Sequence, residues 1–234
     1  MPFKLKEPKL AASIVLLQGE KPNIEAFMIK RNKKLRFLGG YHAFPGGKLE
    51  EDDFNINYDE RFKESFSEKD RKFFDKEDNN LSLRKIQALY ITAIRELYEE
   101  IGILLAYDEN NVIVDSKDSR SSKIFMDSRE KLLNKELEFS EIIKNNNLVL
   151  ALEKIQPFKH FVTPEFSPIR YDTYFFIATL PSNQEILETS KEVEKHEWLA
   201  PITAIKKYFN EEIKMIPPQL ACLSDIKKLN SDEK

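Results

Sequence analysis

Apolar and polar positions along this chain follow two rhythms, and the passage between them predicts its elements. Residues 10–17 (LAASIVLL) and 25–31 (EAFMIKR) are short apolar runs separated by Gly19, Pro22 and Asn23, which predicts two strands joined by a turn. Residues 35–47 (LRFLGGYHAFPGG) are punctuated by glycine, and the YHAFPGG end predicts a strand running into a loop. Residues 54–85 are rich in charge and asparagine, yet Phe54, Phe62, Phe66, Phe73 and Phe74 recur at spacings that fit a helix. That aromatic content argues for an amphipathic helical lid over disorder. Two uses stay open for it, a packed surface excursion and a roof over a substrate.

Residues 88–103 (ALYITAIRELYEEIGI) carry the longest helical pattern, with Asn79, Asn80 and Ser82 upstream as N-cap candidates and Gly102 as the left-handed stop. Short strands are expected at 104–107 and 112–114. A charged stretch, 116–147, follows, helical at 128–134 and 140–144 and halted by Asn145, Asn146 and Asn147. Strand rhythm then returns at 156–163 and 171–180, around a proline-rich turn, and at 192–199, with Trp198 packed in the sheet. Residues 201–210 predict a closing amphipathic helix opened by Pro201, with Ile202, Ile205 and Phe209 inward.

At 234 residues the chain can bury a sizeable core, and one domain spanning 1–234 is expected, with insertions at about 54–85 and 108–147. The 37 Lys+Arg and 40 Asp+Glu leave a formal charge of -3, so no global basic field recruits nucleic acid or an anionic membrane. A single cysteine, Cys222, and three histidines offer neither an intramolecular disulfide nor a Cys/His metal cluster. The first residues lack a signal-peptide core, no early apolar run approaches the roughly 20 residues of a membrane span, and the final SDEK is not a peroxisomal SKL. These features predict a cytoplasmic protein.

The chemistry concentrates in the long helix. Glu96, Glu99 and Glu100 stand at i, i+3 and i+4 and share one face. Three like charges there repel unless a cation lies among them, and a divalent metal is the simplest such partner. Oxygen ligands on a rigid helix suit Mg²⁺ or Mn²⁺, and no neighbouring His or Cys favours zinc. A solvated acidic face is the plainer alternative. His42 reads as a structural residue.

Gly47 together with Arg95-Glu96-Leu97-Tyr98-Glu99-Glu100-Ile101-Gly102-Ile103 resembles the two halves of a Nudix box, the pattern being G, five residues, E, seven residues, REUxEExGU, with U aliphatic. The second half matches in full. In the first, Asp53 stands where the family has Glu, and 41 residues, 54 to 94, separate it from Arg95 in place of seven. This split box, with FPGG kept, resembles the Nudix subgroup that contains the mammalian peroxisomal acyl-coenzyme A diphosphatase. The stretch FVTPEFSPIRYDTYFFIATLP and the later IPPQL resemble the same subgroup.

The resemblance covers roughly residues 10 to 220 and implies an α/β fold, a three-layer α-β-α sandwich with a central mixed sheet and helical insertions. It makes Glu99 and Glu100 the principal metal ligands, adds a backbone carbonyl near Gly47, and makes Glu96 a ligand or the general base. Arg95, expected on a different face from the centre of the carboxylates, anchors the helix to the loop through ion pairs. Glu192 falls where many Nudix enzymes place a further carboxylate, with Glu194 and Glu165 as competitors. Arg170 could fork a substrate phosphate or pair with Asp172, a second candidate substrate contact. Phe175 and Phe176 read as core.

The function expected is metal-dependent hydrolysis of a nucleoside diphosphate derivative, with coenzyme A or acyl-CoA giving 3′,5′-ADP and 4′-phosphopantetheine. ADP-ribose and dinucleoside polyphosphates are the alternative substrates, and a non-catalytic nucleotide-binding module is the alternative class. The partner expected is thus a small nucleotide, without nucleic acid or membrane, and a homodimer is left open.

Overall fold

Strand β1, Lys9–Gln18, is apolar on both faces because it lies in the middle of the sheet. Its alternation sorts the molecule into layers: Ala12, Ile14 and Leu16 enter one core, and Val15 enters another on the opposite side. The computed structural model describes residues 7–35, 38–56, 62, 64, 66–77, 81–187 and 190–230. Strand β2, Glu25–Arg31, pairs antiparallel with the far end of β1, while the near end pairs with β4, Gly46–Lys48, through Ala12 opposite Gly47. Between them comes the two-residue β3, His42–Ala43, so the YHAFPGG segment forms two short strands instead of one.

On its other side β1 runs parallel to β8, Tyr171–Thr179, which pairs antiparallel with β7, Ile155–Val162. A parallel pair needs a long crossover. Everything from β2 to β7 serves as that crossover. Strand β9, Val193–Leu199, closes the sheet on β2, and Trp198 meets the Phe27 ring edge-on at 5.1 Å. The sheet is therefore mixed and lies between two helical layers, as expected.

Helix α1, Glu68–Glu77, belongs to the stretch inside the split box, and α2, Leu83–Ile101, follows it. Ser82 caps α2, its hydroxyl accepting from the Lys85 amide, and Gly102 ends it at φ 76°. Asn79 and Asn80 lie outside the described residues. The box insertion is packed: Phe62 and Phe74 are buried, Phe62 meeting Tyr90 at 5.1 Å and Phe74 meeting Tyr174 at 5.4 Å. Its aromatics thus fill the space between α2 and β8.

A two-stranded ladder, β5 (Ala106–Tyr107) with β6 (Val149–Leu150), brackets the second excursion. The strand expected at 112–114 is only an isolated bridge from Ile113 to Tyr107. Within the excursion, α3, Ser119–Leu133, starts nine residues before the helix expected at 128, and α4 is Phe139–Asn145. Phe125, Phe139, Ile142 and Ile143 enter the same core as α2.

The opposite layer holds α5, Pro201–Phe209, and α6, Pro217–Asn230, a helix not expected from the IPPQL motif. Helix α5 is rotated by one position from the expectation. Ile202 and Phe209 are exposed, because the inward stripe is Pro201, Ala204, Ile205 and Tyr208 at i, i+3, i+4 and i+7. Phe175 and Phe176 are buried on opposite faces of β8, and Cys222 is buried in α6. No described helix is long and apolar enough to cross a membrane.

Candidate active site

Helix α2 crosses the sheet with its last two turns against β4. Gly47 permits this approach: a Cβ there would stand 2.3 Å from the Glu96 Oε1 atom. The Glu96 carboxylate therefore lies directly against the loop, where any side chain larger than hydrogen would displace it.

Arg95 joins helix and loop. Its Nε donates to Asp53 Oδ1 at 2.8 Å, and its Nη2 donates to Asp53 Oδ2 at 3.1 Å and to the Lys48 carbonyl at 3.0 Å. Asp53 Oδ2 also accepts from the Thr92 hydroxyl and the Glu50 amide, so both oxygens are engaged. The turn Glu51–Phe54 brings Asp53 under the helix.

The remaining nitrogen of Arg95 corrects an expectation. Nη1 donates to Glu96 Oε1 at 2.7 Å and to Glu99 Oε1 at 2.9 Å, so the guanidinium sits among the carboxylates and not on a separate face. Neighbouring helical positions diverge by about 100°, but the length of an arginine lets its fork reach back. The cation that three like charges require is thus in part this side chain.

Glu100 is placed differently. It accepts from the Gly46 amide, feels Arg31 and Glu192, and has its Oε2 buried without a hydrogen-bond partner. Two further buried atoms of nearby residues lack partners, Arg31 Nε and Ser190 Oγ. Ser190 donates its amide to the Glu100 carbonyl at 3.2 Å, and the Arg31 Nη2 contact with Glu192 is long, 3.9 Å. A polar guest satisfies such a group best.

Burial raises all three carboxyls above their ordinary values. Glu96 is pushed up to about 7 despite Arg95, Glu99 is raised in the same way, and Glu100 is raised well above the usual range, with the Glu96 charge adding to the effect. A divalent cation would favour the ionised forms of all three.

The donor set fits a hard divalent ion, being entirely oxygen, with one ligand atom buried and unpartnered. As the side chains stand, though, no three His, Cys, Asp or Glu among the described residues converge closely enough to hold one. Glu96 and Glu99 each give an oxygen to Arg95 Nη1, a contact Glu100 does not share.

The remaining candidates distribute unevenly. Glu192 is exposed but acts electrostatically on Glu100, whereas Glu194 pairs with Lys30 at 2.7 Å and Glu165 lies exposed in the β7–β8 turn. Asp172 pairs with His160 and not with Arg170, whose Nε donates to the Thr163 carbonyl. Asp172 lies on β8 and Arg170 immediately before it, on the far side of β1 from β2. His42 is buried against Glu197, 3.4 Å away, which suits a structural role. A cleft of about 500 Å³ beside the loop is lined by Lys48, Glu50, Glu51, Asp52 and Glu138 with Leu49 and Asn55; its acidic rim is unsuited to phosphate, and none of Glu96, Glu99 and Glu100 lines it.

Residues missed in the sequence are Arg31, Ser190 and Arg129. Arg129, from α3, donates to the carbonyls of Tyr98 and Glu99. Only the position of Arg31, at the end of an apolar strand, could have drawn attention to it.

A family model described as the NUDT19 Nudix domain matches residues 8–226. Among its relatives, an acyl-coenzyme A diphosphatase NUDT19 from Xenopus laevis is 27% identical over 231 residues, covering 88% of this chain and 60% of that protein. A putative nudix hydrolase 7 from Caenorhabditis elegans is 22% identical over 227 residues, covering 96% and 63% respectively. The chain thus spans 60 to 63% of the length of these relatives. A crystal structure of a NUDIX hydrolase from Alicyclobacillus acidocaldarius shares the fold with a TM-score of 0.75 at 23% identity, covering 98% of this chain and 95% of that one.

Proposed function

This chain belongs to the Nudix hydrolases, in the NUDT19 Nudix domain family, and we propose that it hydrolyses the diphosphate linkage of a nucleoside diphosphate derivative with the help of Mg²⁺ or Mn²⁺. The observation that carries this reading is the buried, unpartnered Oε2 of Glu100 on a helix end that also bears Glu96 and Glu99, the first of them pressed against Gly47. Coenzyme A or an acyl-CoA is the substrate we favour, supported by the split box and by the acyl-coenzyme A diphosphatase for which the Xenopus laevis relative is named.

When bound, a divalent cation neutralises phosphate oxygens and lowers the pKa of an attacking water. Glu99 and Glu100 would hold it, with Glu96 as a further ligand or as the base taking the water's proton, and Glu192 as a more distant carboxylate. Releasing Glu96 and Glu99 from Arg95 frees their oxygens, while the Asp53 bonds keep the guanidinium in place. One phosphorus–oxygen bond of the diphosphate breaks as water oxygen bonds to phosphorus, giving 3′,5′-ADP and 4′-phosphopantetheine from coenzyme A.

A mass-resolved hydrolysis assay with Mg²⁺ tests this, offering coenzyme A, ADP-ribose and a dinucleoside tetraphosphate side by side, with Glu99→Gln as control. Release of 4′-phosphopantetheine that Glu99→Gln abolishes is the expected result. Cleavage of ADP-ribose or the dinucleoside tetraphosphate alone would keep the chemistry and overturn the substrate. Nucleotide binding without any turnover would favour a binding module.

A further inference from the structure

The functional carboxylates occupy the last turn of α2, the part of a helix whose carbonyls have no partners within the helix. Here each of those four carbonyls is engaged. Tyr98 accepts from the Gly102 amide at 2.9 Å and from Arg129 Nε at 2.8 Å, Glu99 from Arg129 Nη2 at 2.9 Å, Glu100 from the Ser190 amide, and Ile101 from the Leu187 amide at 3.0 Å. One guanidinium from the second excursion thus bridges the two carbonyls that open this turn.

Arg129 is buried for that purpose, while its neighbours Lys123, Asp127, Glu130 and Lys131 on α3 are exposed. The contact is reciprocal, because the Tyr98 hydroxyl donates to the carbonyl of Phe125, one turn before Arg129. A cation at a helix C-terminus also complements the negative end of its dipole. The same excursion grips the other half of the site: Ser140 donates its amide at 2.8 Å and its hydroxyl at 2.5 Å to Asp52, the neighbour of the residue that anchors Arg95.

We infer that Arg129 is a positioning residue, which fixes the last turn of α2 and thereby the direction in which the Glu99 and Glu100 carboxylates point. The second excursion then serves as a clamp on the centre. This rests on the proposed role of those carboxylates as metal ligands.

The test is Mn²⁺ binding to the substrate-free protein by calorimetry, together with kcat and KM for the substrate cleaved above, at a temperature where circular dichroism shows each variant folded. Arg129→Ala is expected to weaken Mn²⁺ binding by about tenfold, as loss of a ligand-orienting partner does elsewhere. It should also lower kcat while KM stays within about twofold, since no substrate contact is removed. Lys131→Ala, on the same helix, should match the wild type. Arg129→Lys keeps the buried charge but lacks the rigid planar fork that holds two carbonyls at once; it should fall between, and it carries the test if the alanine variant does not fold.

Unchanged Mn²⁺ affinity and kcat in the Arg129 variants, whatever happens to melting temperature, overturns the inference. Glu99→Gln separates the two layers. If it loses Mn²⁺ while the Arg129 variants keep it, the clamp alone is wrong. A wild type that binds no Mn²⁺, or a Glu99→Gln variant that binds it as tightly, overturns the metal reading and the clamp with it.

Discussion

Asp53 and Arg95 form a two-pronged ion pair, Nε to Oδ1 and Nη2 to Oδ2, with both side chains almost wholly removed from solvent. The pair joins the two halves of a box that 41 intervening residues separate in the chain. It also presets the fork so that its third nitrogen faces Glu96 and Glu99.

Breaking a buried pair from one side leaves a charge without compensation, which costs about 3 to 5 kcal/mol. Asp53→Ala should therefore lower the urea midpoint strongly. Arg95→Ala should do so too, and should weaken metal binding without abolishing it, since no ligand is removed. Replacing both partners with apolar residues should recover part of the stability but none of the activity. Denaturation curves for the two single variants and the double variant measure the coupling directly.

Gly47→Ala separates fold from function in the opposite way. The new Cβ would meet the end of a flexible glutamate and not backbone. The side chain of Glu96 can swing away, so the melting temperature should change by no more than a few degrees, as for about 1 kcal/mol. Activity should fall by at least about tenfold, because that swing carries off a ligand or base. Equal activity in Gly47→Ala would remove Glu96 from the reaction.

Much of this was legible in the chain. The strand rhythm located β1, β2, β7, β8 and β9 within a residue or so, most plainly in β1, β2 and β8, whose middles are buried, and Ser82 and Gly102 bounded α2. The i, i+3, i+4 spacing brought Glu96, Glu99 and Glu100 to one end of the helix. Helix α6 was hidden because its adjacent prolines, which occupy the first helical positions, drew attention only as part of the IPPQL motif. Helix α3 began in a polar stretch that resembles a solvated loop. Arg31 and Arg129 stayed invisible for a further reason: their significance lies in backbone carbonyls and buried carboxylates distant in sequence, and an isolated arginine carries no mark of such partners.

Proton linkage gives a third test. Burial raises Glu96 to about 7, so between the ordinary carboxylate value of 4.5 and about 7 the folded state holds a proton that the unfolded state has released. Stability from this group is thus fully present at low pH and is lost as pH rises through that window. Glu99 and Glu100, also raised by burial, act in the same direction, whereas His42, lowered by burial, acts oppositely below its ordinary 6.5. Comparison with Glu96→Gln removes the His42 contribution and isolates Glu96 together with its effect on Glu99 and Glu100. The wild type should lose stability relative to that variant as pH rises from about 5 to 7.5 in EDTA, and Mg²⁺ should reverse the trend by binding the ionised form. Melting curves at both pH values, with and without the cation, give the answer.

The box insertion offers the last test, because a roof and a wall respond differently when no substrate is present. Phe74 is buried within reach of Phe66, Phe73, Tyr90 and Tyr174, at centroid distances of 5.2 to 6.2 Å. Removing a ring from such surroundings costs about 3 to 5 kcal/mol, through lost burial and the cavity left behind. Phe74→Ala should therefore shift the urea midpoint in the substrate-free protein, and since Tyr90 lies on α2, it should also loosen the helix that carries Glu96. A mobile lid would leave that midpoint unchanged and raise KM alone. The packing of Phe74 against both α2 and β8 favours the first outcome, which would make the insertion part of the core that holds the site.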